Sequence, residues 1–327
     1  MIRLEYLSLP LARARLGDAP AGLLAMLGFP LMPAEAAPDL PSASVGLAEP
    51  QLPAPICEVW TGQAPVVRGS RGRTRYTVAG ELLFGVLSLA ESEGPIRDRA
   101  QRAYAEIFSL IEALGHPHVL RFWNYFPRIN DEEDGLERYR LFTLGRYAAF
   151  EAVDRVHPES IPAACALGTH DDALTVYFVA SRHPGLRVEN PRQVNAWQYP
   201  REYGPKSPTF ARAVLYPATD PSTLFVSGTA SIVGHRTLHA GDVAAQSRET
   251  VANLEALFGE AERIAGIGSF PLRAASFKVY VRHAEDTAIV KQELAKLLGP
   301  ADMNFLRADI CRADLLMEIE AMASRER

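Results

Sequence analysis

The stretch Ile310-Cys-Arg-Ala-Asp-Leu-Leu-Met-Glu-Ile-Glu-Ala321 places two ionisable side chains, Cys311 and Glu318, inside what reads as one buried strand. Leu315, Met317 and Ile319 alternate with Leu316, Glu318 and Glu320, the period-two pattern of a strand with two distinct faces. If Glu318 points into a closed cleft, loss of water disfavours its ionised form and moves its pKa toward the range useful for proton transfer. If it shares a solvated face with Glu320, it is an ordinary surface carboxylate, the commoner fate of glutamate. Working outward, residues 287–298 and 242–258 read as amphipathic helices, and 277–281 and 224–231 as strands. Strand, helix, strand, helix, strand in that order predicts an α+β unit with helices on one face of a mixed sheet.

At 327 residues the chain has room for two domains or one large one, and the reading divides it into 1–157 and 158–327. In the first part, residues 4–9 alternate like a short strand, while 31–55, rich in Pro, Ala and Ser, read as an irregular extended surface segment. The basic turn Arg68-Gly-Ser-Arg-Gly-Arg-Thr-Arg75 lacks the Gly-Lys-Ser/Thr ending of a phosphate loop and fits a solvated hairpin tip. Residues 97–114 carry helical spacing and stop at Gly115, with Pro117 following; 119–126 read as a strand. A helix over 139–150 puts Tyr139 and Arg146, seven residues apart, on one face, where they could clasp a carboxylate or simply pack a core tyrosine beside an exposed arginine. Residues 163–168 and 174–180 are strands. They are followed by a long polar loop, 189–208, with Trp197, Tyr199 and Tyr203, and by a strand over 210–216 that presents Arg212.

Charged residues make up 22% and apolar residues 48% of the chain, and the net charge of -5 gives no electrostatic reason to expect nucleic acid or an anionic membrane as partner. Cys57, Cys165 and Cys311 are odd in number and far apart, which argues against a disulfide framework or a Cys-x-x-Cys metal site and for a reducing compartment. The opening MIRLEYLSLPLARARLG has arginines interrupting its apolar residues, unlike a secretory leader or a membrane span, so the expected location is the cytoplasm.

Residues 224–322 resemble the RidA/YjgF family in element order and in Ser227-Gly-Thr-Ala, Gln246, Asn253, Lys278-Val-Tyr-Val-Arg282 and Met317-Glu-Ile-Glu-Ala321. A second resemblance covers nearly the whole chain. His118-Val-Leu-Arg-Phe-Trp-Asn-Tyr-Phe-Pro-Arg-Ile-Asn130, residues 139–151, Asn195-Ala-Trp-Gln-Tyr-Pro200, Gly204-Pro-Lys-Ser-Pro-Thr-Phe-Ala-Arg-Ala213 and Ser227-Gly-Thr-Ala-Ser231 are similar to the chorismatases, which carry a RidA-like fold in one longer chain.

That resemblance implies RidA-like units within one chain, arranged like the family's trimer, and a monomer that takes chorismate without metal or redox cofactor. It implies substrate binding by Tyr139 with Arg146 and by Tyr199 with Arg212, joined by Gly228 and Thr229, with Ala230 shaping the pocket. Glu318 would be the general acid that protonates the enolpyruvyl methylene. A cysteine at position 311 goes with hydroxybenzoate formation and a smaller residue with simple hydrolysis. The expected products are therefore 3-hydroxybenzoate, with 4-hydroxybenzoate as a further product, and pyruvate. Alternatives are hydrolysis to 3,4-dihydroxycyclohexa-1,5-dienoate, a RidA-like imine deaminase, for whose substrate-holding arginine Arg307 is the nearest candidate, and a ligand-binding module without turnover. Related sequences sometimes carry a pteridine-dependent dioxygenase label, but the chain shows no His/His/carboxylate triad at iron-binding spacing.

Overall fold

Three sheets turn their inner faces toward one another and carry their helices outside. The computed structural model describes residues 2–17, 22–34, 36–51, 54–62, 65–219, 222–266 and 270–324. The first sheet is built from β1 (Arg3–Ser8), β2 (Leu23–Phe29), β3 (Ser42–Ser44) and β4 (Ile56–Thr61), in the order β1-β4-β2-β3, with helix α1 (Leu9–Gly17) beside it.

The second sheet uses β5 (Val67–Arg71), β6 (Thr74–Ala79), β7 (Leu82–Ala90), β8 (His118–Pro127), β11 (Ala163–Thr169) and β12 (Ala173–Ser181). Helix α2 (Ile96–Ala113) links β7 to β8. After the small hairpin β9 (Glu132–Glu133) and β10 (Leu136–Glu137), helix α3 (Arg138–Ala152) leads to β11. The third sheet is made of β13 (Leu186–Val188), β14 (Ala213–Tyr216), β15 (Thr223–Thr229), β18 (Ser276–Val281), β19 (Asp302–Arg307) and β21 (Met317–Ser324). Between them lie the hairpin β16 (Ile232–Val233) and β17 (Arg236–Thr237), helices α4 (Val243–Ala265) and α5 (Thr287–Leu298), and the short strand β20 (Asp309–Ile310), which joins the edge of the second sheet beside β11.

The two large sheets repeat one topology. Apart from β20 the second runs β5-β6-β7-β12-β8-β11 and the third β13-β14-β15-β21-β18-β19. The pairs β8 with β11 and β18 with β19 are parallel, each bridged by a helix as a parallel crossover demands. Alternation then sorts the side chains. Phe122 and Phe126 of β8 pack toward α2 and α3, while Trp123 and Tyr125 face the shared interior. On β21, Met317 and Ile319 pack toward α4 and α5, so Glu318 and Glu320 face inward, and both are only 4% exposed. The solvated reading of that face is thereby excluded.

Four expectations change. The stretch 310–321 is two strands, because the turn between β20 and β21 has its backbone satisfied by side chains: Arg282 donates to the carbonyls of Ile310, Arg312 and Leu315, and Gln246 accepts from the Leu316 N–H. Residues 302–307, not read as an element, form β19. Of the 31–55 segment, apart from residues 35, 52 and 53, which lie outside the described residues, the part 40–47 is no surface strap: Leu40, Val45 and Leu47 are fully buried and β3 pairs with β2. Finally, a division at residue 157 cuts through the second sheet, whose strands β11 and β12 come later. Among the described residues no helix is long and apolar enough to cross a membrane.

Candidate active site

The site forms where the β11 side of the second sheet abuts β15 of the third. The Ser227 hydroxyl ties the two together, accepting from the Ala164 N–H at 2.9 Å and donating to the Ala211 carbonyl at 2.5 Å. β15 pairs with β21 from Thr223 to Val226, slips, and resumes at Thr229 opposite Ile319. Such a bulge bends the strand and re-aims what lies beside it. Gly228 sits in the slip, and a Cβ there would fall 1.9 Å from Glu318 Oε1. Glycine at 228 thus leaves the space that the carboxyl occupies.

Around Glu318 lies a cavity with two lobes. The larger, about 370 Å³, is lined by Tyr199, Tyr203, Arg212, Ala230, Ile232 and Arg312. The smaller, about 40 Å³, is lined by Phe142, Thr143, Arg146, Ala164 and Cys165. Tyr139, Phe210, Gly228, Cys311 and Glu318 border both. Among the described residues no group hydrogen-bonds the Glu318 carboxyl. Burial, and then the neighbouring Glu320, raise its pKa to about 8 against the pull of Arg121, Arg212 and Arg282. It is therefore largely protonated at neutral pH. Burial, with Glu318 adding to it, pushes the Cys311 thiol up to about 12, so Cys311 is a neutral packed group rather than a nucleophile.

Each lobe holds a buried arginine with N–H groups left over. Arg146 lies 4.8 Å from the Phe150 ring centre and 5.1 Å from that of Tyr104, and its Nε and Nη2 have no partner. Arg212 donates from Nη2 to the Tyr199 hydroxyl at 2.7 Å and to the Val194 carbonyl at 2.9 Å, leaving Nε free. A buried guanidinium with unused donors is poised for an anion, since an unmet buried donor costs free energy.

Arg312, which sequence reasoning passed over, is the third. Its guanidinium sits 4.0 Å from the Tyr203 ring centre and 5.3 Å from that of Tyr199, Nη1 donates to the His235 carbonyl at 2.9 Å, and Nη2 is buried without a partner. The available signal was its place next to Cys311. Of the expected residues, Tyr139, Arg146, Tyr199, Arg212, Gly228, Ala230, Cys311 and Glu318 all line the cavity. Thr229 does not: its hydroxyl turns back onto the Ser227 carbonyl at 3.0 Å. Arg307 is exposed at the end of β19 and lines no part of the cavity. Gln246 and Asn253 are scaffold. Gln246 braces the turn at Asp314 and Leu316, and Asn253 donates to the carbonyls of Ala230 and Ile232.

Behind Glu318 is a buried ionic cluster joining all three sheets. Glu320 accepts from Arg121 at 2.6 Å, from Lys278 at 2.8 Å and from Trp123 Nε1 at 2.9 Å, and Lys278 reaches Glu58 of β4 at 2.6 Å. Burial opposes charge on Glu320, but Lys278 and Arg121 prevail and hold its carboxyl below the usual range. Among the described residues no three His, Cys, Asp or Glu side chains gather as metal ligands would.

Comparison with known proteins covers this same architecture. Residues 58–180 match the sequence profile of the N-terminal region of FkbO/Hyg5-like chorismatases. A 3-hydroxybenzoate synthase of Streptomyces hygroscopicus is 38% identical over 280 residues, spanning 82% of this chain and 81% of that protein. A chorismatase of Streptomyces rapamycinicus is 40% identical over 279 residues, with 82% of each chain covered. The crystal structure of a chorismatase superposes with a TM-score of 0.88 at 30% identity, covering 99% of this chain and 98% of the other.

Proposed function

The chain belongs to the chorismatase family, and from that premise we propose that it converts chorismate to 3-hydroxybenzoate and pyruvate, with Glu318 as the proton donor. The observation that carries the role of Glu318 is its unpartnered, water-shielded carboxyl, protonated up to about pH 8 and set at the junction of two arginine-bearing lobes. Chorismate carries two carboxylates and an enolpyruvyl ether, so its cleavage needs two anion anchors with an acid between them.

Arg146 with Tyr139 would hold one carboxylate and Arg212 with Tyr199 the other, with Arg312 adding positive charge to the larger lobe. A fixed guanidinium fork suits this work because it binds a carboxylate through two parallel N–H groups. Glu318 then delivers its proton to the enolpyruvyl methylene, and positive charge develops as an oxocarbenium-like centre at the adjoining carbon. The neighbouring ring hydroxyl attacks the ring carbon that bears the ether, the bond from that carbon to the ether oxygen breaks, and pyruvate leaves with that oxygen. The C–O–C bridge so formed opens at its other carbon as the ring loses a proton and aromatises. The atoms of hydroxybenzoic and pyruvic acid together are those of chorismic acid, so neither water nor oxidant is consumed, and the ring proton lost on aromatisation replaces the one Glu318 gave. The apolar lining from Phe210, Ala230, Ile232 and Leu315 disfavours a competing water.

The test is Glu318→Gln, which keeps shape and removes the acid. Pyruvate release from chorismate should fall about 10³-fold, within the range for loss of a general acid, with the melting temperature held near wild type. Near-normal turnover would remove Glu318 from the reaction, and a wild-type protein that leaves chorismate untouched would overturn the reading as a whole.

A further inference from the structure

The mechanism leaves unused four titratable groups buried behind Glu318, namely Glu320, Arg121, Lys278 and Glu58. Glu318 and Glu320 stand two residues apart on β21 and therefore face the same side of the sheet, opposite Tyr280 and Lys278 on β18. Their surroundings differ in kind. Glu320 is held by Arg121, Lys278 and Trp123, whereas Glu318 has no hydrogen-bonding partner among the described residues and borders the cavity.

We propose that Glu320 is a positioning residue for the reaction: a carboxylate fixed in its charged form by Arg121, Lys278 and Trp123, whose field keeps the proton on Glu318 until chorismate takes it. The inference rests on the chorismatase reading and adds to it a named source for the acid's protonation. Two carboxyls close together in a low-dielectric setting do not both ionise readily, so the one with bonded cations takes the charge and the one without keeps the proton. The arrangement is specific to this pairing. Arg121 and Lys278 already share their charge with Glu320, and Lys278 also with Glu58.

The other charged or titratable groups that face Glu318 come from every neighbouring element. They are Cys311 and Arg312 from the turn before β21, Cys165 from β11, Tyr139 and Arg146 from α3, Arg212 before β14, and Arg282 after β18. Arg121, Arg212 and Arg282 favour the ionised form, so without Glu320 burial is left to hold the proton against them.

The experiment is the pH profile of kcat/KM for Glu320→Gln beside wild type. The alkaline limb, set by Glu318, should move to lower pH by about one unit or more, as expected for removal of a neighbouring like charge on the same face of the strand. A charge-balanced second variant, Glu320→Gln with Lys278→Met, removes the buried pair together, guards against a single variant that fails to fold, and should shift the limb the same way. A ¹³C titration of the Glu318 carboxyl in the resting protein needs no substrate and should show the same displacement. If either variant folds with the wild-type limb and titration, Glu320 is only a structural ion-pair partner and the proposal falls. If the titration moves but wild-type protein does not consume chorismate, the functional reading fails while the electrostatic one stands.

Discussion

The second and third sheets have the same strand order and the same helix placement, yet the second is closely packed where β12 meets β7 and the third borders a cavity where β21 meets β15. In the second, β12 runs beside β7 from Ala173 opposite Ala90 to Ser181 opposite Leu82 with no slip, and its inward Tyr177 stacks on Trp123 at 4.6 Å. In the third, β21 meets β15 across the bulge at Gly228, and its inward residues are Glu318 and Glu320. A single fold thus serves as packed core or as reaction site according to two choices. One is whether the neighbouring strand slips, and the other is whether the last strand turns aromatic or carboxylic side chains inward.

The comparison can be broken at paired glycines. Gly228→Ala puts a methyl on the Glu318 carboxyl, so kcat should drop about 10² to 10³-fold while the melting temperature changes little, because the displaced acid finds room in the cavity but loses its alignment with the enolpyruvyl methylene. Gly85→Ala on β7 meets the Phe178 ring at 2.3 Å instead, in packed core. It should cost about 1–3 kcal/mol of stability, read by denaturant titration, and leave the kcat of the folded fraction intact. Equal effects on activity from both changes would erase the distinction between the sheets.

A smaller effect sharpens the same contrast. Because burial raises the Glu318 pKa to about 8 and the acid is the working form, wild-type kcat/KM should be level on the acid side of about pH 8 and fall tenfold per unit above it. The linked stability has the same sign. A carboxyl that binds its proton more tightly when folded stabilises the fold fully below its unfolded pKa and loses that contribution as pH rises toward 8. A kcat/KM profile still flat at pH 9.5 would mean that Glu318 does not titrate as the essential acid.

How much of this was legible follows from the range of the interactions involved. The two faces of β21 could be read from alternation alone, and α2, α3, α4 and α5 from helical spacing, because those patterns are local. Alternation could not say which face of β21 is dry. That depends on β8 and β4, almost two hundred residues or more away, which supply Arg121, Trp123 and Glu58. The turn from 311 to 316 was invisible for the same reason, since Arg282 and Gln246 replace the ladder that a continuous strand would have used. With the turn went Arg312, whose aim into the larger lobe exists only once the chain bends there. Leu40, Val45 and Leu47 were hidden by the prolines around them, which mark irregular backbone but say nothing of burial.

The finest test of this contrast lies at Cys311, which borders both lobes and touches the space beside the acid. Its thiol is neutral throughout the working range, so its contribution is volume rather than chemistry. Cys311→Ala should leave total pyruvate release within a few-fold of wild type but admit a water, which needs only about 10–15 Å³ of accessible space and polar neighbours such as Glu318. That water would capture the oxocarbenium-like centre and divert product from 3-hydroxybenzoate to the dihydroxycyclohexadiene acid, in a ratio measured by chromatography. Cys311→Ser nearly preserves the volume and adds a stronger hydrogen-bonding group, so it separates the two effects. If room decides the outcome, serine stays close to wild type and alanine diverts. If both variants keep the wild-type ratio, the exclusion of water belongs to the rest of the lining, and Cys311 is no more than a wall shared by the two lobes.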